Sequence, residues 1–159
     1  MAYHVFVSYS TKDLLQVNLL KNELEQNGIS VFIAEYSVVP GEILKDVIVK
    51  AINDCNLFVV IWSENSSSSD YVRQEIGVAT GANKKILPII LDADDKIPAF
   101  LYGIKYIHGQ DDIETSFNTA TSIIVQESDQ KSKSEGWLVL GAFPVFFCNV
   151  NFIREVKLF

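Results

Sequence analysis

Six consecutive apolar residues, Leu57–Trp62 (LFVVIW), limit the folds open to this chain more than any other stretch. A run with no polar position has no face to offer water. That is the pattern of a central strand in a parallel sheet, covered on both sides. On either side of it, the apolar spacing alternates between strand-like and helix-like periods. Residues 4–9 read as a first strand. Leu14, Val17, Leu20 and Leu24 then follow helical spacing, and Asn27-Gly28 stops that helix as a left-handed cap does. Residues 29–33 read as a second strand, and 34–41 as a loop ending in Pro40-Gly41. A helix follows, with Ile43, Val47, Ile48, Ala51 and Ile52 turned inward. Beyond Trp62 come a polar loop, 63–70, and a helix over 71–82 with Val72, Ile76 and Ala79 on its core face. Residues 85–91 and 103–107 read as further strands, and 113–125 as a closing helix. This order predicts an α/β domain: a flavodoxin-like, five-stranded parallel sheet with helices on both faces and right-handed crossovers. Ligands of such sheets collect outside the carboxyl ends of the strands. The loops after Tyr9, Ile33, Trp62 and Leu91 therefore matter most.

The 159 residues suffice for one domain with a real core. The pattern predicts a domain over 1–125, a polar, serine-rich linker over 126–136 (QESDQKSKSEG), and a short apolar tail over 137–159. The tail's WLVLGAFPVFFCNV run falls short of the roughly 20 apolar residues of a spanning helix. Extra packing or an oligomer contact is its preferred reading. Membrane contact, or a remnant of a longer or altered chain, are the others. A net charge of −7 argues against binding to nucleic acid, whose phosphates call for clustered Lys and Arg. Cys55 and Cys148 are too few for a disulfide framework, and Cys55 reads as a small buried filler. His4 and His108 lack companions at ligand spacing, so no metal site is expected. The N-terminus enters a strand directly, without a basic and apolar leader, and a cytoplasmic location is expected.

The chemistry concentrates in Tyr71-Val72-Arg73-Gln74-Glu75. Positions i and i+4 share a helix face, so Tyr71 and Glu75 should stand together near a helix start at the sheet edge. Glu75 also has a purely structural reading, as an acid complementing the helix dipole. Its place beside the Val72/Ile76/Ala79 stripe, its neighbour Tyr71 and the strand end before the helix favour a functional one. Ser10-Thr11-Lys12-Asp13 resembles a capping box that would start the first helix, and its amides could also meet a phosphate. Gly-x-Gly-x-x-Gly, Walker and Gly-x-Ser-x-Gly patterns are missing, which removes hydride transfer, ATP hydrolysis and Ser-His-Asp chemistry. A receiver fold would need acids at the strand ends, whereas the first strand ends in Ser8-Tyr9-Ser10.

Three boxes together resemble a Toll/interleukin-1 receptor (TIR) homology domain over about residues 3–125. The first is His4-Val5-Phe6-Val7-Ser8-Tyr9-Ser10. The second is the loop Glu35-Tyr36-Ser37-Val38-Val39-Pro40-Gly41-Glu42. The third is Tyr71-Val72-Arg73-Gln74-Glu75-Ile76, followed by Lys85-Ile86-Leu87-Pro88-Ile89-Ile90. The resemblance implies that Glu75 is the catalytic glutamate of the NAD+-cleaving members. It puts Tyr71 where the family usually has Trp, and substrate contacts on Tyr9, Ser10 and Thr11. Some relatives carry basic residues at the last two positions. Val39 takes a substrate-facing place where some members have Glu, and Ala34 stands where an Asp is frequent.

The resemblance further implies an NAD+ glycohydrolase or ADP-ribosyl cyclase of prokaryotic type, acting in immune or anti-phage defence signalling. NAD+ is then the substrate, and no cofactor is needed. The products would be nicotinamide and either ADP-ribose or a cyclic ADP-ribose. The alternative is a non-catalytic interaction module that signals by self-assembly through the 34–42 loop, whose Val38-Val39 pair suits a contact better than water.

Overall fold

The computed structural model describes residues 2–34, 43–92, 97–109, 112–140 and 156–157, with backbone alone for 135–140 and 156–157. Strand β1 (His4–Ser8) leads through a 3-10 turn (Thr11–Asp13) into α1 (Leu14–Gln26). Then come β2 (Ser30–Phe32), α2 (Leu44–Asp54), β3 (Leu57–Trp62), the one-turn α3 (Glu64–Ser67) and α4 (Asp70–Gly81). They are followed by β4 (Ile86–Ile90), a 3-10 turn (Ala99–Leu101), β5 (Tyr106–His108), α5 (Ile113–Leu140) and β6 (Val156–Lys157). The sheet order is β2-β1-β3-β4-β5-β6. Strands β1 to β5 are all parallel, as the alternating pattern predicts, and β6 adds an antiparallel pair at the β5 edge. The chain winds from β1 to β2 on one side and from β2 across to β3 on the other. The winding therefore reverses at β1, and in open α/β sheets ligands bind at such a point, outside the carboxyl ends of the strands.

Alternation along the strands divides the core into two layers. Tyr3, Val5, Val7 and Tyr9 from the β1 chain, with Leu57, Val59 and Ile61 of β3, pack under α1 and α5 against Val17, Leu20, Leu24, Phe117 and Ile124. Phe6, Phe58, Val60 and Trp62 face the other way, against Ile52 of α2 and Val72, Ile76 and Ala79 of α4. Phe6 stacks on Phe32 and Phe58, with ring centroids 5.2 and 5.3 Å apart. Every residue of β3 is buried, which accounts for its unbroken apolar run. Cys55 is buried too, and burial pushes its thiol up. Cys148 lies outside the described residues.

Three expectations are corrected. Ile43, expected to face inward, is 68% exposed and stands at the N-cap of α2. The 63–70 loop contains the short helix α3, closed by a reciprocal capping box between Ser63 and Ser66. The 126–136 linker is helical, because α5 continues without interruption to Leu140. That segment holds no Pro and a single Gly, Gly136 at its end, and Glu127/Lys131 and Asp129/Lys133 are spaced for helical charge pairs. Its first turn is also held by the domain. Tyr3 Oη donates to Glu127 Oε2 at 3.1 Å, Lys85 Nζ bonds Glu127 Oε1, and the Lys131 ammonium lies 6.0 Å above the Tyr3 ring. Burial, then the Glu127 charge, raises the Tyr3 phenol above its ordinary range. Among the described residues no helix is long and apolar enough to cross a membrane.

Helix α1 ends as its Asn-Gly signal predicts. The Ile29 amide donates to the Leu24 carbonyl at 3.1 Å and the Gly28 amide to Glu25 at 3.0 Å, a Schellman closure with Gly28 at φ +76°. A Cβ on Gly28 would meet nothing within 4 Å, so replacing it costs backbone strain alone. Gly28→Ala is expected to lower unfolding free energy by about 1–2 kcal/mol, and Gly28→Asn by less, in urea titrations. Equal midpoints for wild type and Gly28→Ala would contradict this account of the helix end.

Candidate active site

Helix α4 is started by Ser69, whose Oγ accepts from the Val72 amide at 3.4 Å. Arg73 then braces the first turn, donating to Asp70 Oδ1 at 2.9 Å and to the Ser67 carbonyl. With Val72, Ile76 and Ala79 buried against the sheet, Glu75 falls at the margin of the apolar stripe and is half-buried. There it meets Ser8, the last residue of β1, which is only 1% exposed. Ser8 Oγ donates to Glu75 Oε2 at 2.5 Å, across 67 residues of sequence. The carboxylate is therefore held at the point where the winding reverses.

The other candidates divide. Tyr71 lies one turn before Glu75 on α4, and its ring is 69% exposed. Ser10 is buried at the N-cap of the 3-10 turn, yet its side chain makes no capping bond. The expected capping box is replaced by a backbone closure, the Asp13 amide donating to the Ser10 carbonyl at 2.8 Å. Thr11 is exposed. The Tyr9 ring is buried in the layer beneath α1 and α5, across the sheet from Glu75. Val39, with the rest of residues 35–42, lies outside the described residues.

Several residues of this edge escape a reading of the sequence. Asp13 is buried, and its carboxylate accepts from Ser63 Oγ at 2.5 Å and Asn65 Nδ2 at 2.6 Å. That joins the turn after β1 to the turn after β3. Asp92, just past β4, accepts from the Glu64 amide at 2.6 Å, adding a third loop to the latch. Ser8 had a signal: it is the polar end of an otherwise apolar strand. Nothing in the sequence pairs Asp13 with Ser63. Among the described residues no three His, Cys, Asp or Glu are grouped to hold a metal. What the site offers is one oriented carboxylate, with hydroxyls and backbone around it. Such a group can accept hydrogen bonds from sugar hydroxyls and stabilise nearby positive charge.

A doubly wound α/β domain, with an acid held over the reversal point of its sheet, is the class that fold and site define. The TIR domain family model matches residues 5–122, and the chain belongs to that family. It is 32% identical over 92 residues to a Brachypodium distachyon protein named "Probable 2' cyclic ADP-D-ribose synthase BdTIR". The match covers 57% of this chain and 41% of that protein, so the chain spans about two fifths of the relative's length. Among solved structures, the TIR domain of the Toll-related receptor TRR-2 from Hydra magnipapillata superposes with a TM-score of 0.68 at 23% identity, covering 79% of this chain and 99% of that one. A metazoan TIR-STING receptor from C. gigas, solved with 2',3'-cGAMP, gives 0.64 at 26% identity, over 78% and 38% of the two chains.

The Asp13 latch has a measurable consequence. Ser63→Ala removes a hydroxyl from a buried carboxylate and half of a capping box together. It is expected to cost about 1–3 kcal/mol of stability, read as a lowered urea midpoint. An unchanged midpoint would show that the latch holds nothing.

Proposed function

We propose that this chain cleaves NAD+ between nicotinamide and ribose, with Glu75 as the catalytic carboxylate. The observation that carries the reading is the Ser8–Glu75 contact at the reversal point of the sheet. Similarity to a named cyclic ADP-ribose synthase supports the same substrate. In the proposed reaction the C–N glycosidic bond breaks and its electron pair leaves with nicotinamide, which turns from a cation into a neutral molecule. No general acid is required, unlike the alkoxide leaving group of a glycoside. Positive charge develops on the ribose, where a nearby carboxylate stabilises it and accepts hydroxyl hydrogen bonds. Water adds to the sugar and loses a proton, giving ADP-ribose. Attack by another nucleophilic atom of the same molecule gives a cyclic ADP-ribose instead. Ser8 orients the carboxylate by donating to one of its oxygens. Tyr71 at the rim offers a ring face to a base, while Ser10, Thr11 and the Tyr9 backbone border the diphosphate side.

Removing a preorganised charge-stabilising group typically costs about 10²–10³ in turnover. Glu75→Gln is expected to lose nicotinamide release on that scale while keeping its circular dichroism and melting temperature, with Ser8→Ala losing less. Full turnover by folded Glu75→Gln protein would refute the assignment.

A second reading, self-association through the 34–42 loop, is compatible with the first. Its support is the exposed apolar pair Ile43 and Leu44, directly after that loop. Large apolar side chains side by side in water favour a contact with another copy. If assembly completes the site, nicotinamide release per molecule should rise as light scattering reports oligomers. Ile43→Lys should abolish both the rise and the oligomers. Release strictly proportional to concentration, with oligomers present, would sink this second reading.

A further inference from the structure

Asp13 is only 3% exposed, and both of its carboxylate oxygens are engaged. Oδ2 accepts from Ser63 Oγ at 2.5 Å and Oδ1 from Asn65 Nδ2 at 2.6 Å. As a source of stability a buried acid is a poor choice. Taking the charge out of water is costly, and an apolar side chain of similar volume often serves the fold as well. What an acid adds is direction, because each oxygen fixes the angle of the donor that meets it.

The contacts on either side of Asp13 form a closed ring. Toward β1, the Asp13 amide donates to the Ser10 carbonyl at 2.8 Å and closes the turn that follows Ser8. Toward α4, Ser63 Oγ accepts from the Ser66 amide at 3.1 Å and the Ser63 amide donates to Ser66 Oγ at 2.6 Å, which locks the start of α3. Arg73 of α4 donates to the carbonyl of Ser67, the last residue of α3, and to Asp70 Oδ1 at 2.9 Å. Glu75 stands two residues further along α4, where Ser8 Oγ donates to it at 2.5 Å. The ring thus runs from Ser8 through the β1 turn to Asp13, across to α3, on to α4, and back to Ser8 through Glu75. Val72, Ile76 and Ala79 hold α4 against the sheet by apolar packing, which is non-directional. The ring adds a directed tie between the first turn of α4 and the end of β1.

We propose that Asp13 is a positioning residue for Glu75: its two hydrogen bonds fix the segment that carries the carboxylate relative to the end of β1. This rests on the NAD+ reading above. A carboxylate stabilises developing charge best when it is already in place, and a small displacement caused far from the chemistry can cost about 100-fold in rate. Asp13 acts through Glu75 and so on kcat. A turn that served only the diphosphate side, through Ser10 and Thr11, would act on KM instead.

Asp13→Asn keeps the size of the side chain but turns one of its two acceptors into a donor, so the present pair of bonds cannot both be kept. Its kcat for nicotinamide release from NAD+ is expected to fall about tenfold or more. Adding Asn65→Asp exchanges donor and acceptor and restores both contacts, so the double variant is expected to recover most of kcat. Full kcat in folded Asp13→Asn, a rise in KM alone, or a swap that restores the melting temperature without kcat each overturns the proposal. Should Asp13→Asn fail to fold, Asn65→Ala breaks a single bond at a half-buried position, and its unchanged kcat would count equally against it. A second measurement does not depend on turnover. Arg73→Ala opens the same ring at another place, so its effect on urea unfolding should not add to that of Asp13→Asn or Asn65→Ala. Strict additivity, the rule for distant and independent sites, overturns the ring. If wild type releases no nicotinamide, the NAD+ reading falls by itself, and the urea cycle still decides whether Asp13 is coupled to α4.

Discussion

The strand β1 has neighbours on both sides, and the chain reaches them in opposite directions. Everything at the carboxyl edge follows from that constraint. Connections leave β1 and β3 for opposite faces, so no loop needs to cross the gap between their ends. Ser8 ends the buried part of β1 in that gap, and α4 passes over it because β3 must cross to β4. The Ser8–Glu75 bond is therefore a product of topology. It joins a strand end to a helix margin that only this winding order brings together.

A second layer of polar contacts keeps the edge in shape. Asp13 is a buried acid that accepts from a hydroxyl and an amide, both from the loop after β3. Two such bonds, across 50 and 52 residues of sequence, fix the β1 turn against the β3 turn. Asp92 does the same for the start of α3. These groups touch no proposed reacting atom. Their effect is to hold Ser10 and Ser63 where the packing alone, which is apolar and non-directional, would leave a choice.

Apolar patterning made the sheet and its helices readable. Leu57–Trp62 is buried throughout, and Val72, Ile76 and Ala79 form the buried stripe of α4 as their spacing predicts. Glu75 was legible because a helix period places it beside that stripe. What the sequence concealed was pairing between polar side chains. A serine ending a strand looks like the start of a loop, and Ser8 gains its meaning only from α4. The polar stretch 126–136 looked like a linker because its charges give no apolar stripe. Its helicity comes from residue types that tolerate a helix and from anchors on Tyr3 and Lys85 that are remote in sequence. Ser10 has the composition of a cap without the bond, since the tight 3-10 turn closes through the backbone.

The distribution of exposed apolar groups bears on how the acid would work. Crossover helices run antiparallel to their strands, so the starts of α2 and α4 both lie at the carboxyl edge, on the same layer. Ile43 and Leu44 occupy the first of these starts and Tyr71 the second, all well exposed. Between water and protein, the attraction of a carboxylate for a nearby cation varies several-fold with the effective dielectric. A half-buried acid such as Glu75 lies between those limits. Covering the rim would bury apolar surface favourably and would dry the carboxylate in the same step. Ligand or a second copy could do this, and either would couple binding energy to charge stabilisation at Glu75. The exposed rim and the pinned acid are thus two parts of one arrangement, in which the strength of the electrostatic group depends on what closes over it.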